Sequence, residues 1–303
     1  MRTFVALSVL VVLSMMVSLS ILFTWPTTSS SVKRAVPTIS DAAWMTYFND
    51  KGRVDNRRFA DFAALLNTPQ VLATVDEKIA PRATEKESYK VAVLGDSMVD
   101  VMGDFPFLKD QLKKYFPKTE FIIFNYGAGA TTIEVGLSHL LADYTYLGQS
   151  KTALLNLSPD IVVVESFAYN HWDNTQGDLD RQWLALADIA GTIQRRSRDI
   201  KIIFAATIAP YCPTYTDGSA NLPPERKLIE CETVKSYLRN TVNFATSQKY
   251  PLADAYNASL VNDEGLPNYI NQKDHIHPSN LGQELFSEKV AQVVAEVLYT
   301  PHN

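Results

Sequence analysis

The sequence predicts an α/β fold built on a parallel five-stranded sheet with helices on both faces. Two observations carry that prediction. Short apolar runs recur at 91–94, 121–124, 161–164, 200–206 and 251–255. Helical patterns separate them, at about 105–115, 131–147, 178–197 and 224–248, and a last one covers 280–299. Strands that are apolar along their whole length are buried on both faces, and helix-length connections let successive strands pair in parallel.

Five such units make a three-layer αβα arrangement of the flavodoxin-like kind. Sheets of this type collect function on the loops at the carboxyl ends of their strands. Composition agrees with a globular domain plus an extension: 303 residues, 46% hydrophobic and 20% charged. The net charge of −5 leaves no basic footprint for nucleic acid. No P-loop, GxGxxG or zinc-type Cys/His spacing is present, so neither a metal nor another cofactor is expected.

Residues 4–23 form an uncharged apolar run of 20 residues preceded only by Arg2. As a helix rising about 1.5 Å per residue, it matches the roughly 30 Å hydrocarbon core of a bilayer. It is longer than the apolar region of most secretory signals, and weak cleavage candidates follow it. Residues 1–25 are therefore expected to be a transmembrane signal-anchor, with a cleaved signal peptide as the alternative. Either places the rest outside the membrane: anchored there, or secreted if the segment is cleaved. Residues 26–88 read as a tether and helical extension, with Trp44, Phe48, Phe59 and Phe62 on apolar faces. Residues 89–303 form the main domain. Cys212 and Cys231 are the only cysteines and are a disulfide candidate in an exported chain.

The strand-end loops hold the candidate chemistry. The first carries Gly95-Asp96-Ser97-Met98, a sharp turn that presents a hydroxyl at a helix start. The second runs from Asn125 to Thr132 and includes Gly127 and Gly129, either of which lets an N–H approach a ligand. The third contains Ala168-Tyr169-Asn170-His171-Trp172, where Asn170 offers an amide donor. The last is Asp274-His275-Ile276-His277-Pro278, which offers a carboxylate and an imidazole three residues apart. A serine needs a base to become a nucleophile, the base needs an orienting group, and a tetrahedral intermediate needs fixed donors. Each loop alone also reads as an ordinary turn; the ordered set is more specific.

That set resembles the SGNH (GDSL-type) hydrolase family, over roughly residues 89–300. Met98 stands where the family usually has Leu. The family's Gly-x-Asn-Asp reads Ala168-Tyr169-Asn170-His171 here, whereas Asp274 and His277 fit its Asp-x-x-His unaltered. The resemblance implies Ser97 as nucleophile, His277 as general base and Asp274 as its orienting acid. It implies an oxyanion hole of the Ser97 and Gly129 N–H groups and the Asn170 side chain, with Gly127 the fallback for Gly129. His275 is the rival base, otherwise a metal or packing residue. Asp100 reads as helix-surface charge. Tyr169, His171 and Tyr211 are substrate-rim candidates, and the loop from Thr207 to about Pro224 is a candidate lid.

The expected function is an extracytoplasmic serine esterase acting on carboxylic esters, O-acetyl glycan esters among them. An O-acyltransferase with the same triad, acting on envelope or exported polysaccharide, is the alternative; a non-catalytic binding protein on this fold is another. The expected partners are an acyl-ester substrate and, through residues 4–23, a membrane.

Overall fold

The computed structural model describes residues 86–299. The apolar run at 4–23, the tether and the helical extension lie outside the described residues. Among the described residues, no helix is long and apolar enough to cross a membrane.

The central sheet has five strands: β1 (Ser88–Gly95), β2 (Glu120–Gly127), β5 (Ile161–Glu165), β6 (Lys201–Ala206) and β7 (Leu252–Asp254). They pair in the order β2-β1-β5-β6-β7, every pair parallel. Each expected strand is present. Alternation along β1 explains why both faces are covered. Val91 and Val93 face one core with α2 (Pro106–Tyr115) and α7 (Asn280–Leu298). Ala92 and Leu94 face the other, with α3 (Ile133–His139), α4 (Gln176–Arg196) and α5 (Pro224–Ser247). All four are fully buried, so β1 shows no polar face in the sequence.

The ends of α4 follow from local chemistry. Thr175 accepts from the Asp178 N–H while the Asp178 side chain accepts from the Thr175 backbone, a reciprocal capping box. Arg195 and Arg196 close the last turn, where the dipole favours positive charge.

Two expectations are corrected. The helix expected over 131–147 stops at His139, and a separate hairpin follows, β3 (Tyr144–Tyr146) and β4 (Gln149–Lys151). Leu147 and Gly148 join its strands, both with positive φ (48° and 76°), the backbone that closes a two-residue hairpin. The Asp274–His277 turn also does not follow the last strand directly. A short helix, α6 (Ala255–Ala258), and a small hairpin of β8 (Leu260–Val261) and β9 (Glu264–Gly265) come between.

Candidate active site

At the end of β1 the chain turns into α1 (Ser97–Asp100). A Cβ on Gly95 would lie 2.3 Å from Val99 Cγ2 and 2.9 Å from Glu165 Cβ, so only glycine lets strand, helix and β5 meet there. Asp96 caps the helix, its Oδ1 accepting from the Met98 N–H at 2.8 Å. Asp96 and Met98 are fully buried, whereas Ser97 between them is partly exposed. As the first residue of α1, Ser97 has an N–H with no intrahelical partner. The turn thus presents a hydroxyl and a free donor together.

Beneath Ser97 lies a buried carboxylate pair that the sequence reading missed. Glu165 ends β5 with its Oε2 accepting from the Phe167 N–H at 2.8 Å, and its Oε1 forms a short hydrogen bond with Ser166 Oγ. Asp96 Oδ2 accepts from Asn170 Nδ2 at 2.9 Å. Burial raises both carboxyls, and the Asp96 charge raises Glu165 further, well above the usual range. Asp96 is held by the Met98 and Tyr169 backbone N–H groups and the Asn170 amide. Both carboxyls are thus shifted upward, Glu165 the further of the two. Nothing in the sequence pattern of an apolar strand end marks Glu165 as part of this pair.

The Asp-x-x-His turn is assembled. Asp274 Oδ1 accepts from the N–H groups of Ile276 (2.9 Å) and His277 (3.0 Å), and Oδ2 faces His277 Nδ1 at 3.1 Å. Partial burial pushes the Asp274 carboxyl up; the two N–H groups and the His277 ring outweigh it and hold the carboxyl below the usual range. An ionised Asp274 fixes the proton on Nδ1 and leaves Nε2 as the basic nitrogen. The turn is linked toward the serine end of the sheet through neighbours: the Thr216 N–H donates to the His275 carbonyl, the Tyr215 and Tyr169 rings lie 6.4 Å apart, and Asn170, next to Tyr169, donates to Asp96. No hydrogen bond joins Ser97 Oγ to His277 among the described residues; such contacts commonly tighten only around substrate.

Gly129 lies beside the serine, with a hypothetical Cβ 3.7 Å from Ser97 Cβ. Gly127 is tied elsewhere, its N–H donating to Asn125 Oδ1 at 2.8 Å. Gly129 N–H already donates to the Tyr146 hydroxyl at 2.8 Å, and that hydroxyl donates to Asp100 Oδ2 at 2.8 Å. Asp100 is therefore part of the site's surroundings rather than plain surface charge. Asn170 lies next to Asp96, with one amide hydrogen engaged and a second available.

Two of the three rim candidates, Tyr169 and His171, engage their polar atoms within the fold. The Tyr169 hydroxyl donates to the Ile208 carbonyl at 3.1 Å. His171 has Nδ1 at 2.5 Å from the Trp172 carbonyl oxygen and Nε2 at 3.6 Å from Glu230. Tyr211 packs against the core cluster that contains Met98. His275, the rival base, sits at φ 52° with Nδ1 at 2.8 Å from the Asp217 carbonyl oxygen, which ties its ring to the loop that follows β6.

The candidate lid braces the His277 turn. Ser219 Oγ donates to the Asp274 carbonyl at 2.9 Å, and the Thr216 N–H donates to the His275 carbonyl at 3.3 Å. Cys212 and Cys231 are disulfide-bonded, which fastens the start of this loop to α5. Glu264 lies close to both sulfurs, but sulfurs bonded to one another are not thiolate ligands, so this trio is not a metal site. A cavity of about 530 Å³ opens behind the turn among Asn268, Asn271, Gln272, Asn280 and Gln283, and its lining includes neither Ser97 nor His277.

No family model matches the sequence, and no curated protein matches it. Solved structures do resemble the fold. A lipase/acylhydrolase from Enterococcus faecalis is 18% identical with a TM-score of 0.49, covering 71% of this chain and 100% of its own. A GDSL-like lipase from Bacteroides thetaiotaomicron is 18% identical with a TM-score of 0.48, covering 80% of this chain and 98% of its own. An acetyl xylan esterase is 16% identical with a TM-score of 0.48, covering 68% of this chain and 99% of its own. Likenesses of this size leave the activity to be argued from the chain's own residues.

Proposed function

We propose that the protein is an SGNH-type serine esterase that cleaves carboxylic esters through an acyl-enzyme. The observation that supports this reading most is the hydrogen-bonded Asp274–His277 pair, taken with a partly exposed serine that opens α1. In the proposed reaction His277 Nε2 takes the Ser97 Oγ proton as Oγ attacks the ester carbonyl carbon. The oxygen left with the electron pair is held by the N–H groups of Ser97 and Gly129 and by the Asn170 amide. Collapse breaks the bond to the alcohol, which receives the proton from His277. A water, deprotonated by His277, then releases the acid and restores Ser97.

The proposal places this domain outside a membrane, tethered through residues 4–23. The charge-free length of that run supports the placement, as does the Cys212–Cys231 disulfide, a bond favoured in oxidising compartments. Among carboxylic esters, O-acetyl groups on envelope or exported glycans are the proposed substrates. The test is hydrolysis of short acyl esters and acetylated sugars by the full chain and by Ser97→Ala. Loss of turnover in the variant is expected, and full activity in Ser97→Ala would overturn the proposal. Acylated glycan accumulating instead of free acid would make the protein a transferase.

A further inference from the structure

We propose that Tyr146 is a gate residue of the oxyanion site: its hydroxyl holds the acceptor position on the Gly129 N–H and has to leave before a substrate oxygen can take it. This rests on the serine esterase reading. The Gly129 N–H has one hydrogen, and that hydrogen goes to Tyr146 Oη at 2.8 Å. Tyr146 Oη in turn donates to Asp100 Oδ2 at 2.8 Å, so the hydroxyl is held from both sides in the orientation that makes it an acceptor for Gly129. A Cβ on Gly129 would lie 3.0 Å from Tyr146 Oη and 3.7 Å from Ser97 Cβ. The tyrosine oxygen thus stands beside the nucleophile, on the donor the oxyanion needs.

The hairpin that carries Tyr146 is built to move. β3 and β4 pair only with each other, three residues each, apart from the main sheet. Their base is fixed, with the Ala153 N–H donating to Asp143 Oδ1 at 2.7 Å and His139 stacked on Tyr144. The tip is free, with Leu147 81% exposed. The closed hairpin also leaves the buried Tyr144 hydroxyl without a hydrogen-bond partner. A short, isolated ribbon with a fixed base and a free tip belongs to the low-stability part of a fold, from which lids are drawn. Swinging the tip away exchanges the Tyr146 oxygen on Gly129 for the substrate's. Asp100, one helical turn beyond Ser97, is the latch.

The experiment compares full-length wild type with Tyr146→Phe, which keeps the ring and removes the acceptor. It measures kcat/KM for p-nitrophenyl acetate and butyrate and the rate of Ser97 labelling by a fluorophosphonate, whose phosphoryl oxygen seeks the same donors. Both rates are expected to rise about two- to twelvefold, the range for one net hydrogen bond, and equally for the two esters. Should Tyr146→Phe fail to fold, Asp100→Asn weakens the latch and is expected to shift both rates the same way. Rates unchanged or lower in an active background would make Tyr146 a support of the loop and overturn the gate. A gain confined to butyrate would make it a wall of the acyl pocket, which also overturns it. Absence of labelling in wild type and variants alike would instead remove the serine esterase reading itself.

Discussion

Asp274→Asn separates catalysis from architecture at the His277 turn. The carboxylate does two jobs with two oxygens: Oδ1 accepts the N–H groups of Ile276 and His277, and Oδ2 faces His277 Nδ1. An asparagine keeps the first, because its carbonyl oxygen accepts both N–H groups. It reverses the second, because an amide NH2 facing Nδ1 favours the tautomer with the proton on Nε2, where no base remains. The same reversal in a serine protease triad costs about 10⁴ in kcat, and that loss is expected here. Stability should change little. Asp274→Ala loses activity and also leaves two N–H groups without their acceptor, costing about 1–3 kcal/mol, or roughly 2–12 °C in a domain of this size. The stability that ionised Asp274 contributes has a definite pH sense. Its folded carboxyl lies below the usual range, so the contribution is complete above that range and disappears as pH falls through the folded value. The deficit of Asp274→Ala should therefore shrink in acid. Steady-state kinetics and melting curves at neutral and acid pH check both parts. Activity in Asp274→Asn within tenfold of wild type would refute the assigned roles.

Replacing Cys212 and Cys231 by alanine removes a cross-link between residues 19 apart, which for a loop near that length costs about 3 kcal/mol; denaturant unfolding measures it, and a loss below 1 kcal/mol would contradict the bracing role of the loop. Burial, with the Asp96 charge beside it, raises the Glu165 carboxyl well above the usual range, so wild type loses stability as pH rises from the ordinary carboxylate range toward the raised folded value. Glu165→Gln cannot ionise. Its melting temperature relative to wild type should climb between pH 5 and pH 8, and a pH-independent difference would mean that Glu165 is charged in the fold.

The parts of the fold that are legible in the sequence are those where one physical pattern dominates. Val91 to Leu94 are buried on both sides of β1, so the run is apolar without interruption and points to a parallel sheet. Asp274 and His277 are joined by a turn three residues long, and spacing alone brings them together. The hairpin is illegible for an equally physical reason. Leu137, Leu140, Leu141, Tyr144 and Leu147 recur every three or four residues, the mark of a helix. Yet Leu141 and Leu147 are exposed, while Tyr144 stacks on His139 and Asp143 caps Ala153. Tertiary contacts override the periodicity there. The Gly129–Tyr146–Asp100 chain joins a loop, the β3 strand and the end of α1 and carries no local signal, and the Asp96–Glu165 pair joins two strand ends in the same way.

The central claim is that Ser97 is a nucleophile activated by His277 and Asp274. Its most direct test is intact-mass analysis and peptide mapping of the folded full-length chain after treatment with a fluorophosphonate. The account predicts a single adduct on Ser97, absent in Ser97→Ala and formed far more slowly in Asp274→Asn. A folded protein with no adduct, or with its adduct on another residue, would contradict it.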